Sequence, residues 1–489
     1  MRTRLLTPHP PRADGDYVLY WMTTTRRLRS NFALERAVAL ARDRRAPLVI
    51  FEPLRVGYAH ASDRLHRFVI DGMADHARAL AATPVTYLPY VEPAPGDGRG
   101  LLAALSDRAI AVVTDDYPAF FIPHMLDAAA RQVSVQIEAI DSNGILPMRA
   151  APKCFVTAFS HRAYMQHTLR EHLQTWPSDI TFDGLPRLKA LPPALTDRWR
   201  FVSADQLGAP AALIASLPIN HRIPAVDLRG GDTAAEAALA RFIARALGTY
   251  SDDRNQPSLE GTSRLSPYLH FGHIGAHDVF SAVMNAEQWT TRKLAKTGGG
   301  KREGWWGVSP NAEGFLDQLI TWRELGFNMC VQRPDDYDKY ASLPDWARAT
   351  LAGHASDMRT WTYSRADFER ANTHDPVWNA AQRELTETGW MHNYMRMLWG
   401  KKILEWSRSP EEALDHMTEI MNAYALDGRD PNSYTGYFWT LGRYDRPWAP
   451  EREIFGMIRY MSSDSTMKKW RMKPYLARFG ATTEGRLPL

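Results

Sequence analysis

The chain has little that would tie it to an oxidising compartment, a metal or a membrane. Its two cysteines, Cys154 and Cys330, stand far apart with no metal-type spacing, so reduced thiols in a cytoplasmic protein are expected and no metal site. No stretch approaches the run of about 18 apolar residues that a membrane helix requires. The basic start, MRTRLLTPHPPRADGD, has no apolar core behind it, which argues against a secretory signal. There is no G-x-G-x-x-G dinucleotide fingerprint and no internal repeat. Charge of one sign is also scarce: a net +4 permits a polyanionic partner without demanding one. With 45% hydrophobic and 23% charged residues the chain reads as a soluble globular protein. Its length predicts roughly two to four domains.

What is present divides the chain in two. Short apolar runs, DYVLYWM (16–22), PLVIFEPL (47–54), VTYLPYV, AIAVVTDDYP and QVSVQIEAID, alternate with amphipathic segments such as NFALERAVALARDRRA (31–46). Such alternation predicts a doubly wound parallel sheet, a Rossmann-like α/β domain over 1–175. Residues 176–230 are proline-rich and aperiodic, which predicts a connector wrapped on the surface. Helical periodicity dominates from 231 to 489, predicting an all-α domain, and KLAKTGGGKREGWWGVSP (293–310) reads as a flexible loop.

The helical half holds most of the 16 tryptophans. In GWMHNYMRMLWGKKILEW (389–406), Trp399 and Trp406 share one helix face about 10.5 Å apart along the axis, with Arg396 on nearly the same side and Trp390 opposite. In GTSRLSPYLHFGHIGAHDVF (261–280), the hydroxyls of Thr262, Ser263 and Ser266 precede a helix that Pro267 can open. They suit a phosphate, or simply cap the helix. Gln318 and Trp322, four apart in GFLDQLITWRELGFNMC, form either a base-reading pair or an ordinary buried indole with a polar neighbour. Asp427, in DGRDPN, has Arg396 as a candidate cationic partner.

The ordered set YWM, RR, NFAL, AAEAAL, LSPYLHFG, HDPVWNAAQ, MHNYMRMLWGKKILEW, DGRDPNSY, DRPW and IRYM resembles the photolyase/cryptochrome family over nearly the whole chain, and within it the class II cyclobutane pyrimidine dimer photolyases. The resemblance implies FAD held in the helical domain, and light-driven electron transfer from reduced flavin into a dimer flipped out of UV-damaged double-stranded DNA. It also implies a monomer free of membranes, with an antenna, deazaflavin or folate, in the α/β domain if one is bound. Tyr250, Thr262, Ser263, Leu265, Ser266, Arg323 and Asn393 would hold the cofactor, and Arg396 would pair with Asp427 beside its ring. Trp399, Trp378 and Trp406 match the inner, middle and outer electron-transfer tryptophans. Gln318, Trp322 and Trp439 would meet the lesion, and Asp445, Arg446 and Arg459 would face DNA.

Three departures bear on the chemistry. Class II members read F-L-E-E-L where this chain has FLDQL, so Gln318 replaces a glutamate that supports the dimer. An amide hydrogen-bonds a base but offers no proton. Photolyases of (6-4) lesions also carry glutamine at the comparable place, which keeps that substrate open, as it does a cryptochrome-like photoreceptor with little repair. Met421 stands where the family has an asparagine near flavin N5, with Asn422 one position later. The preferred reading is a retuned flavin rather than a shifted helix. Trp390 and Asn393 look more like the corresponding run of class I.

Overall fold

A computed structural model describes residues 1–480; positions 481–489 of the expected helical domain lie outside them. Two compact units are present, one of Met1–Pro152, Thr168–Ala240 and Leu265–Val283, the other of Lys153–His167, Arg241–Arg264 and Met284–Leu489. The units interleave along the chain, whereas the sequence reading has successive segments.

The first unit is built on six strands: β1 (Thr3–Leu5), β2 (Tyr17–Trp21), β3 (Leu48–Leu54), β4 (Thr86–Val91), β5 (Ala109–Asp115) and β6 (Ile137–Ile140). Their order is β1-β6-β5-β2-β3-β4, parallel throughout except β1, which pairs antiparallel with β6. Strands β2 and β5 are buried along their whole length, which is why they read as unbroken apolar runs rather than alternating ones. The winding reverses between them, the topological switch point of such sheets. There the Asp115 carboxylate accepts the backbone N–H groups of Thr23, Thr24 and Thr25 at 2.8, 2.8 and 2.9 Å, and the Tyr20 hydroxyl at 2.8 Å. Within the sheet, Glu52 takes Arg26 at 2.8 Å, His76 at 2.8 Å and Tyr87 at 2.6 Å. Burial disfavours charge on both Glu52 and His76, yet their attraction outweighs it, holding the carboxyl low and the imidazole high.

The proline-rich stretch after 176 differs from a surface wrap. It forms the short helices Pro193–Arg198, Ala204–Gly208 and Pro210–Ala215 and buries Leu207, Ile214 and Leu217 against Val69, Ile70 and Met73. Helix Asp63–Leu80 supplies that apolar face.

The second unit contains no strand among its described residues. Its 293–310 segment, expected to be flexible, is pinned. Gln166 accepts the N–H groups of Gly299 and Gly300 at 3.1 and 2.7 Å, Arg162 donates to Gly300 O, and Glu313 accepts from Gly304 and Trp306. Trp305 and Trp306 are buried. No described helix is long and apolar enough to cross a membrane.

Replacing Leu207 or Ile214 by alanine is expected to cost about 2–4 kcal/mol of stability, measured by urea unfolding, as for other core truncations. A surface connector would lose almost nothing.

Candidate flavin and DNA site

Helix Pro376–Thr388 starts where the Asp375 side chain caps Val377 and Trp378 and Pro376 fits the first turn. It stops at Gly389, whose φ of 72° favours glycine. The chain then turns into helix Asn393–Trp406, capped by His392 Nδ1. This hairpin brings three buried indoles together. Trp378 and Trp399 lie parallel, 7° apart with centroids at 6.2 Å, and Trp378 meets Trp406 edge-on at 5.9 Å. Trp378 donates its indole N–H to Trp399 O at 3.0 Å, and Trp399 donates to Gln382 Oε1 at 2.8 Å. Trp378 therefore touches both of the other two rings. Trp406, expected outermost, is only 2% exposed. The aromatic path continues through His374, 5.1 Å from Trp406, to Trp361, stacked on His374 at 4.5 Å and 49% exposed; Tyr363 lies 5.6 Å from Trp406.

One turn before Trp399, Arg396 donates through Nη2 to both oxygens of Asp427, at 3.1 and 3.2 Å. The Nε atoms of Arg396 and Arg264 are buried with no hydrogen-bond partner, and Arg264 lies over the Trp390 ring at 4.6 Å. Two unspent guanidinium donors beside one ion pair fit a bound group rich in acceptors, as FAD is. Asn393 is exposed at the first turn of its helix. Met421 is fully buried. Asn422 Oδ1 accepts Arg429 N at 2.8 Å, and the Arg429 guanidinium also donates to Asn422 O. That side chain is therefore engaged in holding the DGRD turn.

Of the phosphate candidates, Thr262, Ser263 and Ser266 are partly exposed. Helix Ser266–Phe271 begins after Leu265, with Pro267 in its first turn. Tyr250 is buried edge-on against Phe315 at 5.4 Å, and Arg323 is buried over Phe327 at 4.7 Å.

Gln318 and Trp322 lie on a π-helical turn, Asp317–Trp322, between helices Pro310–Leu316 and Arg323–Gln332. Such turns are uncommon and gather at functional sites. Arg162 Nε bonds Asp317 at 2.7 Å and His161 Nδ1 meets Thr321 O at 3.2 Å, fixing both ends of the turn. Trp439 and Arg459, with Met397, Tyr394, Trp448 and Lys469, line a cavity of about 420 Å³; Gln318 and Trp322 are not among its walls. Asp445 takes Arg459 at 2.8 and 3.0 Å and the Trp448 indole at 3.1 Å. Burial raises its carboxyl, but these donors more than offset that and hold it below the usual range. Asp445 thus braces the wall, while Arg446 is exposed and stacks on Trp448 at 4.7 Å.

Sequence reasoning assigned no role to three buried groups. Lys401 donates to Thr440 O at 2.6 Å beneath the Trp439 ring, 4.9 Å from its centroid, and burial lowers it to about 7. Glu384 accepts His392 N and the Tyr475 hydroxyl at 3.0 and 2.8 Å, and burial raises it to about 7. Gln382 orients Trp399. A charged residue in the middle of a helix carries no mark of burial in the sequence.

No family model matches the chain. It is 33% identical over 483 residues to the deoxyribodipyrimidine photo-lyase of Methanothermobacter thermautotrophicus, covering 98% of this chain and 97% of that one. It is 32% identical to the enzyme of the same name from Oryza sativa subsp. japonica, covering 97% and 90%. Among solved structures, a class III photolyase from Agrobacterium tumefaciens shares the fold, with a TM-score of 0.64 at 18% identity over 95% of this chain and 86% of that one. An α/β unit and a helical unit with a buried indole array are the parts of a photolyase-type flavoprotein. The chain belongs to the deoxyribodipyrimidine photolyase family.

Because Lys401 is lowered in the fold from 10.5 to about 7, the unfolded chain binds the extra proton between those values. Stability relative to Lys401→Met is therefore expected to rise as pH increases from about 7 towards 10.5. Paired urea titrations at pH 6.5 and 9.5 check the sign, and a constant difference refutes it.

Proposed function

We propose that this chain is a light-dependent DNA repair lyase, of the class II pattern, that splits cyclobutane pyrimidine dimers in UV-damaged DNA. The observation that carries this reading is the buried, contiguous indole array that ends one helical turn from the Arg396–Asp427 pair. FAD, when bound, supplies the light-driven electron that opens the dimer. Arg264, Arg396 and Asp427 would hold its ring system, and Thr262, Ser263, Leu265, Ser266, Tyr250 and Arg323 its phosphate end.

The chain's own residues do the rest. Trp399 delivers an electron to the pocket and is refilled from Trp378, then from Trp406, all three rings being buried. His374 and Trp361 carry the path to solvent, where an external reductant can restore it. Trp439 offers a flat apolar wall to a flipped base, braced by Arg459 and Asp445. Gln318 hydrogen-bonds the base without giving up a proton, which makes it a weaker stabiliser of developing negative charge than the glutamate of the class. A second chromophore, deazaflavin or folate, would sit at the strand ends of the α/β unit. There Tyr58 stacks with His66 at 5.9 Å and packs on Phe121 at 5.7 Å.

The test is a purified protein, its absorption spectrum before and after blue light, and repair assays on duplexes carrying either a cyclobutane dimer or a (6-4) product. Dimer repair is expected. Repair of neither lesion, with a long-lived light-induced spectrum, would sink the reading in favour of a photoreceptor. Trp399→Phe is expected to lower photoreduction by at least tenfold while leaving flavin content unchanged. Gln318→Glu is expected to raise dimer splitting per absorbed photon.

A further inference from the structure

Segment Lys153–Phe159 runs beneath an apolar surface that the reading above leaves unused. Val156 is 66% exposed and Phe159 61% exposed, unusual for side chains on so well-packed a unit. On one side, Phe159 packs against Gly300: a Cβ added there would lie 3.0 Å from the phenyl ring. Immediately beyond Gly300, Lys301 and Arg302 are exposed, with Lys296 nearby on the same loop. On the other side, Thr157 bridges the backbone of Tyr444, next to Asp445 and the exposed Arg446. None of Lys153, Lys296, Lys301, Arg302 and Arg446 forms an ion pair with a described carboxylate.

A solvated basic loop needs no scaffold, yet this one has a dense scaffold. Gln166 and Arg162 hold Gly299, Gly300 and Lys301 by four hydrogen bonds, three of them made by the Gln166 amide, including its 2.9 Å bond to Lys301 O, and one by Arg162 to Gly300 O, while Arg162 is itself anchored on Asp317. The same Arg162 fixes the π turn that bears Gln318. A loop preorganised in this way presents its cations at low entropic cost to a polyanion. An exposed phenyl between two cationic edges suits a nucleobase face or an opened base step.

We propose that Val156, Phe159, Lys301 and Arg302 form a second DNA-gripping surface, which holds the duplex beside the lesion while Arg446 and Arg459 hold it at the lesion. This rests on the DNA-repair reading. Lys301 and Arg302 neutralise phosphates, and Phe159 packs on the distorted bases next to the flipped pair. Because its anchor also fixes Asp317, the grip sets the register of the strand against Gln318.

The experiment is fluorescence anisotropy on the flavin-loaded full chain, with an undamaged duplex and one carrying a single thymine dimer, between 50 and 200 mM salt. Lys301→Ser/Arg302→Ser is expected to weaken binding to both duplexes and to lower the salt slope by about 1.8, at roughly 0.9 per lost phosphate contact. Phe159→Ser is expected to keep the slope and weaken the dimer duplex about tenfold more than the undamaged one. All three side chains are exposed, and Phe159→Tyr, which keeps the ring, is expected to restore dimer preference. Slopes and affinities equal to the unmodified protein would overturn the proposal while leaving the repair reading intact. Failure of the unmodified protein to bind the dimer duplex would overturn both.

Discussion

The Trp378 N–H bond to the carbonyl of Trp399 is the contact on which the helical unit turns. An indole buried in apolar surroundings must find an acceptor, and here the acceptor is the backbone of the neighbouring member of the array. The bond locks helix Pro376–Thr388 against helix Asn393–Trp406 and fixes the two rings face to face. Gln382 meets the same demand for Trp399. Polar satisfaction and electronic contact are therefore one geometric solution, and the Asp375 cap and the Gly389 stop are what give the hairpin the reach to adopt it.

Charges in this unit follow a consistent division. Those near the indole array are compensated or silent: Arg396 is matched by Asp427, Arg459 by Asp445, and Lys401 is held near its titration point by burial. Those on the outer rim, including Lys301, Arg302 and Arg446, form no ion pair with a described carboxylate. A low-dielectric interior amplifies any unbalanced charge, so compensation inside and excess outside are both required of a protein that moves electrons next to a polyanion.

The α/β sheet was legible because β2 to β6 are continuous apolar runs separated by helical periodicity. Strand β1 was not, being three residues long with only its middle one half-buried, and held by its pairing with β6. The connector escaped because Pro210 breaks it into short pieces: Leu207 and Ile214 reach the core from separate helices and Leu217 from the turn that follows. The pinned 293–310 loop was illegible from its own glycines, since Gln166, Arg162 and Glu313 lie outside it. In the site, helix spacing sets Arg396 and Trp399 one turn apart, and Arg396 meets Asp427 in the turn after helix Pro410–Tyr424. The burial of Trp406 was not legible. Trp406 is enclosed by Tyr363, Phe368 and His374, all supplied by a different stretch of chain.

The seat of Asp115 at the strand ends has a historical implication. A sheet wound in this way offers its ring of amide hydrogens to whatever anion evolution supplies, and nucleotide-binding relatives of the topology fill it with pyrophosphate. Here the tenant is built in. The three threonine amides are taken by a side chain of the neighbouring strand, so they have no hydrogen left for an incoming anion. Close by, the rings of Tyr58, His66 and Phe121 offer a visitor flat surface to stack on.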